Sequence, residues 1–243
     1  MQWHVRNFKD QTKLVEAAAG FLTATYEEAV KDRGLFLLAL SGGRTPRPFY
    51  ESLANSERRL SWKRIHLFMV DERFVTYDHP DSNWGMIQHA LLDHIRIPDE
   101  NLHPVPILAN AAQSSAAYAA ELNRFFQLKF ESIPVMDMII LGLGEDGHTA
   151  SLFPGSPELA EKNHLVVDVS RKEVNHQRIS ITLPVIRSAR RTLFLVTGSS
   201  KAETVYDVVV NKNSSLPATL VCQSRSEIHF FLDREAAERL PVL

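Results

Sequence analysis

Apolar residues along this chain follow two alternating periods. Within residues 11–33, Leu14, Ala17, Ala18, Phe21, Leu22 and Thr25 recur at helical spacing, while Lys13, Glu16, Glu27 and Glu28 are free to face water. That spacing predicts an amphipathic helix, which Gly34 ends. Residues 35–40 (LFLLAL) form a short unbroken apolar run, the pattern of a strand covered on both faces.

The same signals recur downstream. Helical character returns in RPFYESLANSERRL, over 86–92, over 112–131, and between TGSSK and Val210. Strands are predicted at 65–70, 135–141, 164–169, 178–183, 192–196 and 228–232, with 178–183 alternating as if one face were wetter. Residues 77–85 are rich in turn formers and read as a loop, Pro98, Pro104 and Pro106 mark an irregular passage, and DREAAERL reads as a terminal helix.

Strands alternating with helices imply a three-layer α/β/α architecture, a mostly parallel, Rossmann-like sheet with helices on both faces. No internal repeat, low-complexity tract or Gly/Ser linker divides residues 1–243, so one α/β domain is expected. Ligands of such sheets sit beyond the carboxyl ends of the strands. Four polar clusters fall at that edge: SGGRT, DER, GEDGH and TGSSK.

Composition narrows the function classes. The 243 residues are 44% hydrophobic and 23% charged, with net charge −2, so nothing marks a nucleic-acid partner or an anionic membrane. No apolar run approaches the ~18 residues that span a bilayer. Cys222 is the single cysteine, which rules out an intrachain disulfide and fits a reducing compartment. The N-terminus MQWHVRNFKDQ has no apolar core of a signal peptide. A cytoplasmic protein with no obligatory protein partner is the expectation.

Ser41-Gly42-Gly43-Arg44-Thr45 lies between a predicted strand and a helix. Adjacent glycines let several N–H groups converge, and a helix start adds its positive dipole end, so the turn suits an anion. A ligand-free Gly-Gly turn has the same local pattern. TGSSK repeats the arrangement and puts Lys201 at a helix start, where its ammonium could form a second jaw. Arg44 and Arg73 are further cationic candidates, or partners in structural ion pairs.

Residues 135–154, VMDMIILGLGEDGHTASLFP, carry the candidate chemistry. Gly142-x-Gly144-x-x-Gly147 matches a dinucleotide fingerprint, with Asp168 about twenty residues on. However, Pro154, Gly155 and Pro157 interrupt the helix that the fingerprint needs. Asp71-Glu72, Glu145-Asp146 and His148 lack HExxH or EF-hand spacing, so no metal is assigned. A histidine is free to accept a proton near neutral pH, which makes His148 a candidate general base with Asp146 to orient it. His79, His89 and His176 have no comparable setting. The absence of a G-x-S-x-G elbow argues against covalent catalysis.

LALSGGRTPRPFYESL, VDERFV with Ser82-Asn83 after it, LGLGEDGHTASLFPGS, RISITLPVI and LFLVTGSSK together resemble the 6-phosphogluconolactonase family, in the family's order and across nearly the whole chain. The resemblance implies the fold of the sugar-phosphate isomerases and deaminases. It also implies a cofactor-free reaction: hydrolysis of 6-phospho-D-glucono-1,5-lactone to 6-phosphogluconate in the oxidative pentose phosphate pathway. By resemblance His148 is the base and Asp146 and Arg73 share its site. Ser41, Gly42, Gly43, Arg44, Thr45 and Lys201 match phosphate-binding positions, while Asp71, Arg178 and Arg187 are further substrate-site candidates.

The nearest rival is glucosamine-6-phosphate deaminase, which resembles the chain in its phosphate loop, an aspartate like Asp71 and a loop histidine. That family expects a glutamate a few residues after the histidine, where this chain reads HTASLFPG, with Leu152 and Phe153. A third reading is a non-catalytic sugar-phosphate sensor; an intact His148 and Asp146, and the lack of a DNA-binding segment, argue against it.

Overall fold

The computed structural model describes residues 3–55, 60–129, 132–172, 174–224 and 226–241. In chain order its elements are β1 (Trp3–Phe8), α1 (Gln11–Arg33), β2 (Phe36–Leu40), α2 (Arg47–Ala54), β3 (Ile65–Met69), β4 (Asp71–Arg73), α3 (Asn83–Ala90), β5 (Leu102–His103), α4 (Ala111–Phe126), β6 (Met138–Leu141), β7 (Val166–Val169), β8 (Arg178–Ile181), α5 (Leu183–Ser188), β9 (Arg191–Val196), α6 (Ala202–Val209), α7 (Pro217–Cys222) and β10 (Glu227–Asp233).

Local chemistry sets the ends of α1. The Asp10 carboxylate accepts the Lys13 N–H, and Gly34, at φ 82°, turns the chain out while its N–H bonds Val30 O. The apolar face of α1 then packs across β1, β2 and β10.

Seven strands form a parallel sheet in the order β1-β10-β9-β6-β2-β3-β5, with helices on both sides. The chain winds outward from β2 through β3 to β5, then returns to put β6 on the other side of β2. The loops after β2 and β6 therefore diverge at the point where the winding reverses, the place such sheets keep for ligands. Every residue of β6 is buried, and one contiguous apolar cluster includes α1 and the central strands. Among the described residues, no helix is long and apolar enough to cross a membrane.

Several elements differ from the sequence reading. Residues 71–73 leave the large sheet and pair with β8 in a second, antiparallel sheet, β4-β8-β7. The expected wet face of 178–183 is absent: Ser180 and Thr182 are buried, with their hydroxyls donating to Ile181 O and His164 O. Leu183 already belongs to α5.

The expected loop over 77–85 ends early, because Ser82 accepts the Gly85 N–H and starts α3 at Asn83. The terminal helix is a series of turns from Asp233, whose carboxylate takes the N–H groups of Ala236 and Gly198 instead of leaving the segment to coil on its own. The edge strand β1, the two-residue β5 and the short α7 were not anticipated. Helix α4 stops at Phe126, one residue before Gln127 at φ 49°. The tails of the expected helices at 56–59 and 130–131 lie outside the described residues.

Candidate active site

All four polar clusters meet at one cleft of about 390 Å³ beyond the carboxyl ends of the strands. Its lining includes residues 41–46, Asp71, Arg73, Asn83, residues 142–144, 148–151, Phe153, Arg178 and Lys201.

The loop after β6 is a tight coil closed by Gly144 N–H to His148 O at 2.8 Å and Gly147 N–H to Gly144 O at 3.1 Å. Asp146 Oδ1 accepts from the His148 backbone N–H at 3.0 Å and lies 2.6 Å from the ring Nδ1. A carboxylate can only accept here, so Nδ1 is the donor and Nε2 is the ring nitrogen left to act as a base. The hydrogen bond from His148 is the main cause that pulls the Asp146 carboxyl down to about 2.

Gly144 has no room for a side chain, since a Cβ would fall 2.1 Å from His148 Nδ1 and 2.6 Å from Asp146 Oδ1. This accounts for part of the glycine pattern without any dinucleotide. Asp168, the acid of that discarded fingerprint, is exposed on β7 in the small sheet. The imidazole packs 4.7 Å from the Phe153 ring, over which Arg171 sits at 5.0 Å. Ala150, at φ 53°, makes the strained turn between Thr149 and Leu152.

The turn after β2 supplies the opposite wall. Gly43 adopts φ 108°, and a Cβ on Gly42 would fall 1.7 Å from Asn83 Oδ1. Tyr50 donates its hydroxyl to Ser41 O at 2.7 Å, and the buried Ser41 Oγ has no hydrogen-bond partner among the described residues. Pro46 stands at the N-cap of α2, which therefore has no side-chain cap. The hydroxyls of Thr45 and Thr197 lie 3.1 Å apart and join this turn to the one after β9.

There Lys201 closes the short helix Ser199–Lys201, with Nζ 3.9 Å from Glu145 Oε1. Burial lowers the pKa of Lys201; the Arg44 charge pushes the same way, against Glu145 and Asp146. A half-buried ammonium beside a second cation favours an added anion.

The small sheet contributes the third wall. Arg73 and Arg178 face each other in register across β4 and β8, and the buried Nε of each has no hydrogen-bond partner among the described residues. Burial first, then Arg73, lowers the pKa of Arg178. Asp71 Oδ2 accepts the Ser151 hydroxyl at 2.7 Å, tying the β4 end to the histidine loop.

Glu72 points the other way and is fully buried. Its carboxylate accepts the N–H groups of Arg73, Asn83 and Trp84, each at 2.7 Å, and the Ser82 hydroxyl at 3.1 Å. It thereby pins the start of α3, and with it Asn83, against the Gly42 turn.

The structure thus brings together His148, Asp146, Arg73, Asp71, residues 41–45, Arg178 and Lys201. It does not bring Arg187, which lies on α5 and donates to Gln223 O away from the cleft, because β8 has already turned into a helix by that point. Sequence reasoning did not assign Asn83, Ser151 or Phe153 to the site. The signals available for Asn83 were its place behind Ser82, a helix-capping residue type, and the part Ser82-Asn83 plays in the family resemblance.

Residues 9–230 match the family model described as glucosamine-6-phosphate isomerases/6-phosphogluconolactonase. A 6-phosphogluconolactonase from Synechocystis sp. is 41% identical over 93% of this chain and 94% of its own, and one from Nostoc sp. is 38% identical over 100% of both. The solved 6-phosphogluconolactonase from Trypanosoma brucei aligns with a TM-score of 0.88 at 27% identity, covering 99% of each chain. A monomeric glucosamine-6-phosphate deaminase, at 22% identity and a TM-score of 0.81 over 97% of this chain and 99% of its own, shares the fold. This chain belongs to the glucosamine-6-phosphate isomerase/6-phosphogluconolactonase family.

Proposed function

We propose that this chain hydrolyses 6-phospho-D-glucono-1,5-lactone to 6-phosphogluconate, with His148 as general base. The observation that carries the proposal is the Asp146–His148 pair, closed at 2.6 Å, in one cleft with the Ser41–Thr45 turn and Lys201. In the proposed complex the N–H groups of residues 41–45 and the Lys201 ammonium hold the 6-phosphate, and Asp71 accepts a sugar hydroxyl. Binding energy from the phosphate, remote from the carbonyl, then positions the ring.

His148 Nε2 takes a proton from a water whose oxygen bonds to C1. The carbonyl oxygen gains negative charge beside Arg73 and Arg178. The tetrahedral species collapses by breaking the bond from C1 to the ring oxygen, which receives its proton from the imidazolium. Water and lactone balance as the open acid, and no step calls for a cofactor.

The deaminase reading requires a further acid a few residues beyond the histidine. That stretch holds Leu152, fully buried, and Phe153, whose ring packs on the imidazole. The deciding assay compares lactone hydrolysis, corrected for spontaneous opening in buffer, with ammonia release from glucosamine 6-phosphate. Hydrolysis above the blank with no ammonia is expected; the reverse pattern would overturn the proposal.

Lys201→Ala is expected to raise KM for the phosphorylated lactone about 10- to 100-fold, the worth of one charge-assisted contact, with kcat nearly unchanged. An unaltered KM in steady-state kinetics would remove Lys201 from the phosphate clamp.

The hydrogen bond from His148 holds the Asp146 carboxyl down to about 2, so near neutral pH it is a fixed negative charge bonded to Nδ1. Asp146→Asn removes that charge and frees the side chain to turn its amide donor toward the ring, so kcat for the lactone is expected to fall about 10-fold or more with little change in KM. An unaltered kcat in steady-state kinetics would show that Asp146 does not position the base.

A further inference from the structure

At the outer edge of the large sheet, β1 pairs with β10 so that His4 lies directly opposite His229. Their imidazoles stack with centroids 4.7 Å apart. Glu227 lies two residues before His229, and strand alternation sends both side chains to one face. Glu227 Oε1 is 3.0 Å from His229 Nε2 and 3.8 Å from His4 Nε2. All three candidate ligand atoms lie within 4.8 Å of one another. Two ligands on a tetrahedral zinc, with bonds of about 2.0–2.1 Å, sit about 3.3 Å apart, between the two distances given.

A second, independent observation points to a bound cation. The His229 side chain is 8% exposed, and its Nε2 is buried with no hydrogen-bond partner among the described residues. The Glu227 carboxylate oxygen faces that nitrogen at 3.0 Å, close enough for one ion to bridge the two. A metal ion bonded to both would satisfy a nitrogen that is otherwise costly to bury. The other Glu227 oxygen accepts Arg191 Nε at 2.9 Å, which fixes the carboxylate as outer partners of metal ligands commonly do.

Access and identity follow from the surroundings. His4 and Glu227 are each about one-third exposed, at 34% and 39%, and His4 and His229 line a cavity of about 470 Å³ that also touches Trp3, Arg6 and Phe21. The Arg6 guanidinium is engaged over the rings of Phe8 and Phe231, at 5.2 and 4.9 Å. Two imidazoles and one carboxylate suit zinc and its neighbours rather than magnesium or calcium, which take all-oxygen shells. His4 and Glu227 start their strands, whereas the catalytic cleft lies beyond the carboxyl ends.

We propose that His4, Glu227 and His229 bind one divalent first-row transition metal of the zinc class, with water completing a four-coordinate shell, and that this ion clips β1 to β10. A second trio, His79, Asp81 and His176, serves as a control. Its groups are already engaged with each other, Asp81 N–H donating to His79 Nδ1 at 3.0 Å and His176 Nε2 meeting Asp81 Oδ2 at 2.9 Å.

The test is titration of the chelator-stripped chain with Co²⁺, read as visible d–d absorption, and with Zn²⁺ by calorimetry. One equivalent with a tetrahedral cobalt spectrum is expected, along with a zinc-dependent rise in Tm. His4→Ala, a change on the surface, should weaken binding more than about 10-fold and leave lactone hydrolysis intact. His229→Gln should do the same to binding, and His176→Ala should leave binding unchanged. Absence of binding, binding indifferent to His4→Ala, or binding lost in His176→Ala alone would overturn the proposal.

Discussion

Replacing His148 by alanine is expected to lower kcat for the lactone by about 10²- to 10⁴-fold, the usual worth of a positioned general base. The fold should survive. The loop is closed by backbone bonds from Gly144 to His148 and from Gly147 to Gly144, and by the Thr149 hydroxyl on Gly142 O at 2.9 Å; none of these uses the imidazole. The ring is 36% exposed, so its removal opens no sealed cavity. KM should change little, because the proposed phosphate contacts are to the 41–45 turn and Lys201, not to the imidazole. Steady-state kinetics beside an unfolding curve checks both statements together. Wild-type kcat in a folded His148→Ala variant would mean that another group activates the water, and the assignment of the base would fall.

A second large effect is expected from Glu72→Ala, on stability before chemistry. The carboxylate satisfies three backbone N–H groups and one hydroxyl in a site without access to solvent. Truncation leaves those donors unpaired at about 1–3 kcal/mol each, so a loss of at least about 3 kcal/mol is expected. For a chain of this size that corresponds to a fall in Tm of roughly 6–12 °C. The start of α3 is no longer anchored, so Asn83 can withdraw from Gly42. Surviving activity should then show a raised KM as the anion turn loosens. Urea unfolding of the variant measures the loss, and a change below about 1 kcal/mol would show that Glu72 does not hold this corner. Glu72→Gln should fall between, since its amide keeps one acceptor oxygen but turns a new donor toward existing donors.

The route from residues to site was partly readable in the chain itself. The run at 35–40 and the SGGRT cluster after it are local signals: an apolar stretch too short for a buried helix, then glycines where the backbone must turn. Both proved to be a strand and a turn at a sheet edge. Asp146 and His148, two residues apart, could be paired on paper because so short a loop leaves few other arrangements. The position of Lys201 in the same cleft followed only from the assumption that four strand ends share one edge.

Other features had no local signature. Residues 65–70 read as a strand ending in the DER cluster, yet the backbone switches sheets between Met69 and Asp71, because Asp71 to Arg73 find partners about 107 residues later in β8. Ser180 looked like the wet side of an alternating strand, and burial against Ser151 reversed that reading. Arg187 stood near Arg178 in sequence and was grouped with it, but α5 carries it off. The segment 233–240 has helical composition, and Asp233 spends its carboxylate on Gly198 and Ala236.

By itself the sequence determined the class of sheet, the edge where chemistry gathers and the imidazole–carboxylate pair, since each depends on side chains within a few residues of one another. Tertiary structure alone decided which cations face the cleft, why Gly42 and Gly144 tolerate no side chain, and that two histidines at opposite ends of the chain share an edge. Those depend on contacts between segments tens to hundreds of residues apart, whose register comes from how the whole core packs and leaves no periodic trace in any one stretch.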